Sequence, residues 1–392
     1  MPKLRVGVLF GGRSGEHEVS LLSAASILKA IDRKKYEVIP IGITKEGHWV
    51  TSSHAERLLT GEAAPSSLRA GDPAATAPAA VLAKGESVIV PPVPAKNKTG
   101  SLVPFETQRN PVHHAVNLDV VFPVLHGTFG EDGTIQGLFE LAGIAYVGSG
   151  VLGSATGMDK DVMKRLFASA KLPITKHVTF LRNEWVKNPK KIVTRVEAAL
   201  KYPVFVKPAN LGSSVGISKA HDRKELSPAI ELAASFDRKI VIEQGVGGKR
   251  GKARELEVAV LGNDSPSASV VGEVVPIKEF YDYEAKYLSE GSDLIIPARL
   301  TRQQTKQVQQ MAIEAFKACD CSGLARVDFL LDPGKSARIY LNEINTLPGF
   351  TSISMYPKLW AASGVAYPDL IDRLIQLALE RRAEKDRTSY SR

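Results

Sequence analysis

Residues 340–349 read YLNEINTLPG. The first half is typical of a β-strand, because Ile339, Leu341 and Ile344 supply apolar anchors. Glu343 and Asn345 stand two positions apart, and a strand alternates its faces with a period of two, so both polar groups point the same way. The stretch therefore predicts a strand that presents a carboxylate and an amide from one face, just before a Pro-Gly turn.

The preceding segment, GLARVDFLLD at 323–332, is a second apolar strand, and the turn sequence DPGKSA joins the two. A hairpin symmetric about Lys335 and Ser336 places Asp328 opposite Glu343 and Arg326 opposite Asn345, all on one face. Directly opposed residues lie about 4.5–5.5 Å apart at Cβ. Carboxylates at that distance repel each other unless a positive charge lies between them.

Two interpretations of this face are open. A surface hairpin with cross-strand charge pairs accounts for it, since Arg326 alone could neutralise both carboxylates. Carboxylate and amide oxygens are also the ligands that Mg²⁺ prefers. Asp328, Glu343 and Asn345 are therefore candidate metal ligands.

The composition is that of a globular protein of two or three domains. The 392 residues are 44% hydrophobic and 24% charged, which is ordinary for soluble domains. No apolar run approaches the roughly 18–20 residues that a membrane-spanning helix needs. The initial MPKLRVGVLFGG has a short apolar run that ends in Gly-Gly, as a first strand does and a signal peptide does not. We therefore expect a cytoplasmic protein without a membrane partner.

The charge and the cysteines exclude little by themselves. The net charge is +9, but the basic residues are scattered, so we expect an anionic small substrate and no nucleic-acid partner. Cys319 and Cys321 are the only cysteines. A C-x-C pair can be redox-active or bind a metal, but without further cysteines we expect two small residues at a helix end.

The pattern along the chain predicts an α/β fold. A strand at 4–12, a helix at 20–31 and a strand at 36–43 form a βαβ unit. Residues from about 52 to 110 are rich in Ala, Pro and Gly, and we expect an insertion of short strands and loops there. The later predicted helices lie at 133–143, 157–170, 301–320 and 367–385, and the later predicted strands at 118–127, 201–210, 239–246, 254–263, 267–277, 323–332 and 337–345.

A Gly/Ser loop follows the strand that ends in Lys207. Its sequence, GSSVG at 212–216, lets backbone N–H groups approach an anion and adds two serine hydroxyls. A polar turn would explain the loop alone, and the Walker pattern is absent, but the adjacent lysine favours phosphate. Lys160, at the start of a predicted helix, opposes the helix dipole and is either a solvated or a functional lysine.

Taken together in this order, these motifs resemble those of the ATP-grasp enzymes: MDK at 158–160, VKP and GSSVG at 206–216, IEQ at 242–244, RVDF at 326–329 and NEINTLPGFT at 342–351. With FGGRSGEHEVS at 10–20, HGTFGEDGTIQG at 126–137 and YDYEAKY at 281–287, the chain is similar to bacterial D-alanine–D-alanine ligases. The resemblance runs from about Val6 to Pro357, except for the insertion. It implies a three-domain ATP-grasp fold with a Rossmann-like N-terminal domain at 1–122, a linking segment and central subdomain at 123–245, and a C-terminal subdomain with the metal site and a lid loop at 246–392.

The resemblance also implies where ATP and metal bind. The residues that match ATP-binding positions are Lys160, Lys207, Ser213, Ser214, Glu243, Gln244, Glu255 and Lys286. Gln244 replaces the lysine that is usual in the family, and Glu257 takes the place of Glu255 as the ribose acid if the alignment slips by two. Asp328, Glu343 and Asn345 match the ligands of two Mg²⁺ (or Mn²⁺) ions that bridge the β- and γ-phosphates.

The implied reaction activates one D-alanine as an acyl phosphate and joins it to the amine of a second, for peptidoglycan synthesis. The matching substrate residues are Glu16, Val19, His126, Arg326, Ser354 and Met355, and the matching catalytic residues are Glu16, Ser213, Tyr287, Arg326 and Gly349. The YEAKY pattern favours an amine over D-lactate as the second nucleophile. Another ATP-grasp carboxylate–amine ligase and a non-catalytic binder are the alternatives, and the family implies a homodimer.

Overall fold

The computed structural model describes residues 2–51, 77–94, 100–105, 115–247, 251–276, 292–351 and 353–389. Within these residues the chain forms three β-sheets with helices packed against them. The predicted α/β class is therefore confirmed. Parts of the predicted insertion and most of the predicted lid loop lie outside the described residues.

The first sheet has the strand order β6-β5-β4-β3-β2-β1-β7-β8. Its strands are β1 Leu4–Gly11, β2 Tyr36–Ile43, β3 Trp49–Thr51, β4 Glu86–Ile89, β5 Gly100–Pro104, β6 Val116–Leu118, β7 Val120–Pro123 and β8 Ala145–Tyr146, and its helices are α1 His17–Ala30, α2 Ala77–Lys84 and α3 Thr134–Ala142. β1 pairs in parallel with both β2 and β7, so the segments that follow β1 and β7 leave the same edge of the sheet. These segments carry Glu16 and His126.

The described part of the predicted insertion extends this sheet. β4 and β5 add antiparallel strands to it, as the expectation of short strands requires. α2 was not predicted, because an Ala- and Pro-containing segment was interpreted as a loop. Its sequence APAAVLAK has high helix propensity, and Val81 is fully buried against the sheet.

The second sheet has the order β11-β10-β12-β9. Its strands are β9 His177–Leu181, β10 Val204–Pro208, β11 Ser218–Ala220 and β12 Lys239–Gln244, and helices α6 Arg182–Lys187, α7 Pro189–Ala199 and α8 Arg223–Phe236 lie in the same segment. β12 pairs antiparallel with β10 and β9 on its two sides. Lys207 and Glu243 come at the ends of β10 and β12.

The third sheet has the order β15-β14-β13-β16-β17. Its strands are β13 Arg254–Gly262, β14 Ser267–Pro276, β15 Ser292–Ile295, β16 Gly323–Leu331 and β17 Ile339–Asn345, and its helices are α9 Arg302–Ala318, α10 Met355–Ala362 and α11 Tyr367–Lys385. Cys319 caps α9 and Cys321 follows it, both buried, so their predicted place at a helix end is confirmed. Among the described helices, none is long and apolar enough to cross a membrane.

The helix predicted at 157–170 is confirmed from Lys160 to Ser169, but its continuity through Asp159 is wrong. The structure has two helices, α4 Val151–Met158 and α5 Lys160–Ser169, which meet at Asp159 in an extended conformation. The Asp159 carboxylate accepts hydrogen bonds from the backbone N–H groups of Asp161 and Val162, at 3.1 and 3.0 Å. Such an N-cap starts a new helix, and the same carboxylate is ion-paired with Lys239 at 2.5 Å.

The first predicted domain boundary, at residue 122, falls inside β7, and β8 belongs to the same sheet. We therefore propose that the first domain extends to about residue 150. The second predicted boundary, at 245, directly follows β12.

Two helical glycines give a matched test of packing around α4. A Cβ on Gly153 would lie 2.5 Å from the carbonyl oxygen of Asp320, whereas a Cβ on Gly137 in α3 would meet nothing within 4 Å. We expect Gly153→Ala to lower the thermal unfolding midpoint, because overpacking costs about 1–3 kcal/mol. Gly137→Ala should leave the midpoint unchanged or raise it, since alanine favours a helix by about 1 kcal/mol. Equal losses in both variants would contradict this account of α4.

Candidate active site

A cleft lies where the three sheets meet, and it collects most of the predicted site residues. Its lining includes Glu16, Glu131, Lys160, Gly212, Ser213, Ser214, Glu257, Arg326, Glu343, Asn345, Gly349, Ser354 and Met355. These residues come from seven separate segments of the chain, so only the tertiary fold brings them together.

The predicted pairing across β16 and β17 is confirmed at the cleft. Arg326 pairs with Asn345 and Asp328 pairs with Glu343. All four residues are partly exposed, while their neighbours Val327 and Ile344 are buried. The two carboxylates and the amide therefore lie on the face that borders the cleft.

A β-bulge at Asn342 produces this arrangement. Beyond Asp328 the register shifts, so that Phe329 pairs with Leu341 and Leu330 with Tyr340. The symmetric hairpin predicted from the sequence is therefore wrong by one residue near the turn. The extra residue is Asn342, and it lets Leu341 point into the core while Glu343 points into the cleft.

Arg326 pairs with two of the carboxylates on this face. Its guanidinium donates two hydrogen bonds to Asp328, at 2.8 and 2.7 Å, and lies 3.1 Å from a carboxylate oxygen of Glu257. Glu257 stands directly opposite Asp328 on β13, so three neighbouring strands carry the row Glu257, Asp328 and Glu343. The hard oxygen donors of Asp328, Glu343 and Asn345 suit Mg²⁺ or Mn²⁺, and the arginine holds the first of them in place.

The position of Glu257 bears on the ribose assignment. Because Glu257 is engaged with Arg326 at the metal face, Glu255, two residues away on the same strand face, is the better candidate for a sugar contact. Its role remains a proposal.

A buried cluster of charges lies beside the cleft. The carboxylate of Glu243 is 3.1 Å from the ammonium of Lys207 and 3.0 Å from that of Lys164, and it accepts a hydrogen bond from Thr175. Despite burial, the two lysines hold the pKa of Glu243 low, at about 2. The Glu243 carboxylate, which was predicted to bind ATP, is thus occupied by protein groups. Gln244 points elsewhere, since its side-chain oxygen accepts from the N–H of Lys201 at 3.0 Å.

Lys160 and the Gly/Ser loop face each other. The ammonium of Lys160 donates to the carbonyl of Leu211 at 2.7 Å, directly before GSSVG. Ser213 and Ser214 both have left-handed backbones, with φ of 50° and 60°. Successive residues in such conformations turn N–H groups toward one side, as in anion-binding loops.

Glu16 connects this loop to the first sheet. It is buried directly before α1, and its carboxylate accepts a hydrogen bond from the hydroxyl of Ser213. Gly212 and Gly127 come close to the same carboxylate, since a Cβ on either would lie 3.1 or 2.6 Å from it. Two of the predicted catalytic residues, Glu16 and Ser213, are therefore in direct contact.

His126 lies behind the cleft, not on its lining. Its Nδ1 donates to the carbonyl of Leu347 at 3.0 Å, and its Nε2 accepts from the hydroxyl of Ser23 at 3.2 Å. Burial lowers the pKa of His126. These contacts hold the turn that contains Gly349, so they favour a positioning role over the predicted direct contact with substrate. Val19, on α1, is likewise buried.

The N-terminus of α10 faces the cleft on the other side. Ser354 is its N-cap and Met355 its first residue. The Ser354 hydroxyl accepts from the N–H of Thr351 at 3.1 Å. Free N–H groups at a helix start attract a carboxylate, which agrees with the predicted role of these residues.

The sequence matches family models on both sides of this cleft. Residues 5–149 match the model described as D-ala D-ala ligase N-terminus, and residues 166–376 match D-ala D-ala ligase C-terminus. The chain is 49% identical over 390 residues to the D-alanine--D-alanine ligase of Natranaerobius thermophilus, with 99% of this chain and 98% of the relative covered. It is 47% identical over 391 residues to that of Bacillus cytotoxicus, with both chains fully covered.

The chain belongs to the D-alanine–D-alanine ligase family. Two solved structures of similar fold are the VanG D-Ala:D-Ser ligase from Enterococcus faecalis and the D-alanine-D-alanine ligase from Coxiella burnetii. The first has a TM-score of 0.79 and 35% identity, covering 96% of this chain and 100% of that one. The second has a TM-score of 0.77 and 33% identity, covering 98% and 97%. The fold is thus the ATP-grasp fold that the sequence predicted.

Two predicted residues of this ligase fold cannot be placed. Tyr287 and Lys286 lie outside the described residues, so their roles in the lid stay predictions. The roles given to the other site residues are proposals that rest on the geometry above.

Glu131 is a residue of the ligase cleft that sequence reasoning missed, although it stands in the quoted motif HGTFGEDG. It accepts a hydrogen bond from the N–H of Gly127 at 2.8 Å. Burial, with the nearby carboxylate of Glu16, raises the pKa of Glu131 to about 8. The motif signals an acid, but only the fold shows that two carboxyl groups share this corner.

The pKa of Glu131 predicts a pH dependence. The folded protein keeps this proton up to about pH 8, whereas an unperturbed glutamate ionises near 4.5, so stability is lost as pH rises between these values. Glu131→Gln removes the ionisation. We expect the thermal unfolding midpoint of this variant to gain on the wild type from about pH 5 to about pH 8.5. Parallel profiles across this range would contradict the buried, protonated carboxyl.

Proposed function

We propose that this chain joins two molecules of D-alanine into D-alanyl-D-alanine with cleavage of ATP to ADP and phosphate, through an acyl phosphate, for peptidoglycan precursor synthesis. The observation that carries the proposal is a cleft that joins Glu343 and Asn345 of the oxygen face with Lys160 of α5, beside the buried Lys207 of β10. A nucleoside triphosphate needs both the lysines and the oxygen face, since its phosphates require cations and its metal requires hard oxygens.

The nucleotide is proposed to lie between the second and third sheets. Lys160 and Lys207 contact its phosphates, the Ser213–Ser214 segment covers them, and Glu255 contacts the ribose. Bound Mg²⁺ or Mn²⁺, held by Asp328, Glu343 and Asn345, would neutralise charge on the phosphate oxygens.

The first D-alanine is proposed to bind with its ammonium at Glu16. This carboxylate is already oriented by Ser213, so the loop that covers the phosphates also closes over the substrate. The carboxylate of the bound D-alanine then attacks the γ-phosphorus of ATP, which breaks the bond to ADP and leaves an acyl phosphate. Glu131 also lines the cleft at this subsite.

The second D-alanine attacks the acyl carbonyl with its neutral amine. Arg326 and the backbone N–H of Gly349 are proposed to stabilise the oxyanion that forms, since both residues line the cleft. Ser354 and Met355, at the start of α10, are proposed to bind the carboxylate of the second molecule. Collapse of the tetrahedral species expels phosphate and leaves the peptide bond.

The cellular compartment and the oligomeric state are also proposals. ATP is an intracellular substrate, so we propose a cytoplasmic enzyme. A homodimer is proposed from the family resemblance alone.

The acceptor requires a direct test, because the VanG D-Ala:D-Ser ligase has the same fold. The purified protein is incubated with ATP, Mg²⁺ and D-alanine, alone or with D-serine or D-lactate, and the products are identified by mass spectrometry. We expect D-alanyl-D-alanine and stoichiometric phosphate. A product that forms only with D-serine or D-lactate would contradict the dipeptide assignment and retain the ATP-grasp chemistry.

The oxygen face is tested by Glu343→Gln, which keeps the side-chain size and removes the charge. We expect kcat to fall by at least about 100-fold, the scale on which single electrostatic groups act in catalysis. Glu314→Gln, the same change on the exposed surface of α9, is the control and should leave kcat unchanged. Full activity of the Glu343 variant would contradict the assignment of Glu343 as a metal ligand.

A further inference from the structure

Lys164 is a buried lysine to which neither the sequence motifs nor the proposed mechanism assign a role. It lies on α5, one turn after Lys160, and its side chain is fully buried. Its ammonium is 3.0 Å from the carboxylate of Glu243 on β12 and donates to the carbonyl of Asn342 on β17 at 3.3 Å. One side chain thus joins the second sheet to the third.

We propose that Lys164 is a positioning residue for nucleotide binding. It contributes positive charge beside Lys207, and it holds the bulge of β17 beside Glu343. The inference deepens the proposed function and rests on it for the identity of the nucleotide. Lys164 is behind the cleft lining, so it acts through the residues it holds.

Lys164 contributes to the charge beside Lys207. Glu243 is shared by two ammonium groups, Lys164 and Lys207, so the trio carries a net positive charge. If Lys164 is removed, Glu243 pairs with Lys207 alone and the trio becomes neutral. The charge that remains available to an anionic phosphate near Lys207 is then smaller.

Lys164 also holds the bulge of β17. Asn342 is the extra residue of β17, and its carbonyl accepts from Lys164. The neighbouring residue on α5, Met163, accepts the N–H of Ile344 with its sulfur at 3.3 Å. One turn of α5 therefore holds β17 on both sides of Glu343. Loss of the lysine contact frees the residue that sets the direction of the Glu343 side chain.

The test compares Lys164→Met with Arg165→Met. The control residue is the next one on the same helix, and its side chain is 71% exposed in an ion pair with Asp161. Binding of ADP in the presence of Mg²⁺, without D-alanine, is measured by isothermal titration calorimetry. We expect ADP to bind about 10- to 100-fold more weakly to Lys164→Met, the range found for groups that orient ligands of a site, and unchanged binding to Arg165→Met.

Steady-state kinetics supply a second readout. We expect the KM for ATP to rise in Lys164→Met while the KM for the first D-alanine stays constant, because Glu16 and Ser213 do not contact Lys164. A purely structural lysine would lower the thermal unfolding midpoint and leave the ADP affinity and both KM values unchanged, and that result would overturn the proposal.

Lys164→Gln covers the case in which Lys164→Met does not fold, since the amide can still donate to Asn342 but carries no charge. Weaker ADP binding in this variant supports the electrostatic part of the argument, and wild-type ADP binding overturns it. If the wild-type protein binds ADP but makes no dipeptide, the proposed function fails while the role of Lys164 in nucleotide binding can still be measured.

Discussion

The single extra residue at Asn342 is the constraint on which the cleft depends. β17 buries Ile339, Leu341 and Ile344. These positions cannot share one face of a regular strand, because side chains alternate between the two faces and Ile344 is an odd number of residues from the other two. Without the bulge, either Leu341 would enter the cleft or Glu343 would enter the core. With it, the core keeps its apolar side chains and the oxygen ligands meet Arg326 and Asp328.

The buried charges of the cleft are arranged in shared sets. Arg326 lies between Glu257 and Asp328, and Glu243 lies between Lys164 and Lys207. A buried charge is costly unless it is paired, so each set fixes its members before any ligand binds. The first set leaves an acidic oxygen face and the second an excess of positive charge, which together complement a metal–nucleotide complex.

The sequence predicted the class of fold, most strands and the pairs at the metal face, since apolar alternation and turn residues are local signals. It misplaced the register near the hairpin turn, although the consecutive polar residues Asn342 and Glu343 were a visible sign of a bulge. It missed the helix break because Asp159 was interpreted as a helix residue instead of a cap. The roles of Lys164 and Glu131 could not be predicted from the local sequence, because they arise from partners on distant segments.

The most direct test of the account is to locate the metal. Crystals grown with ADP and Mn²⁺ would show the ion by its anomalous scattering. The account predicts manganese within about 2.5 Å of oxygens of Asp328, Glu343 and Asn345. Manganese bound elsewhere, with Arg326 still the partner of an Asp328 that touches no ion, would contradict the claim that the bulged hairpin forms the metal site.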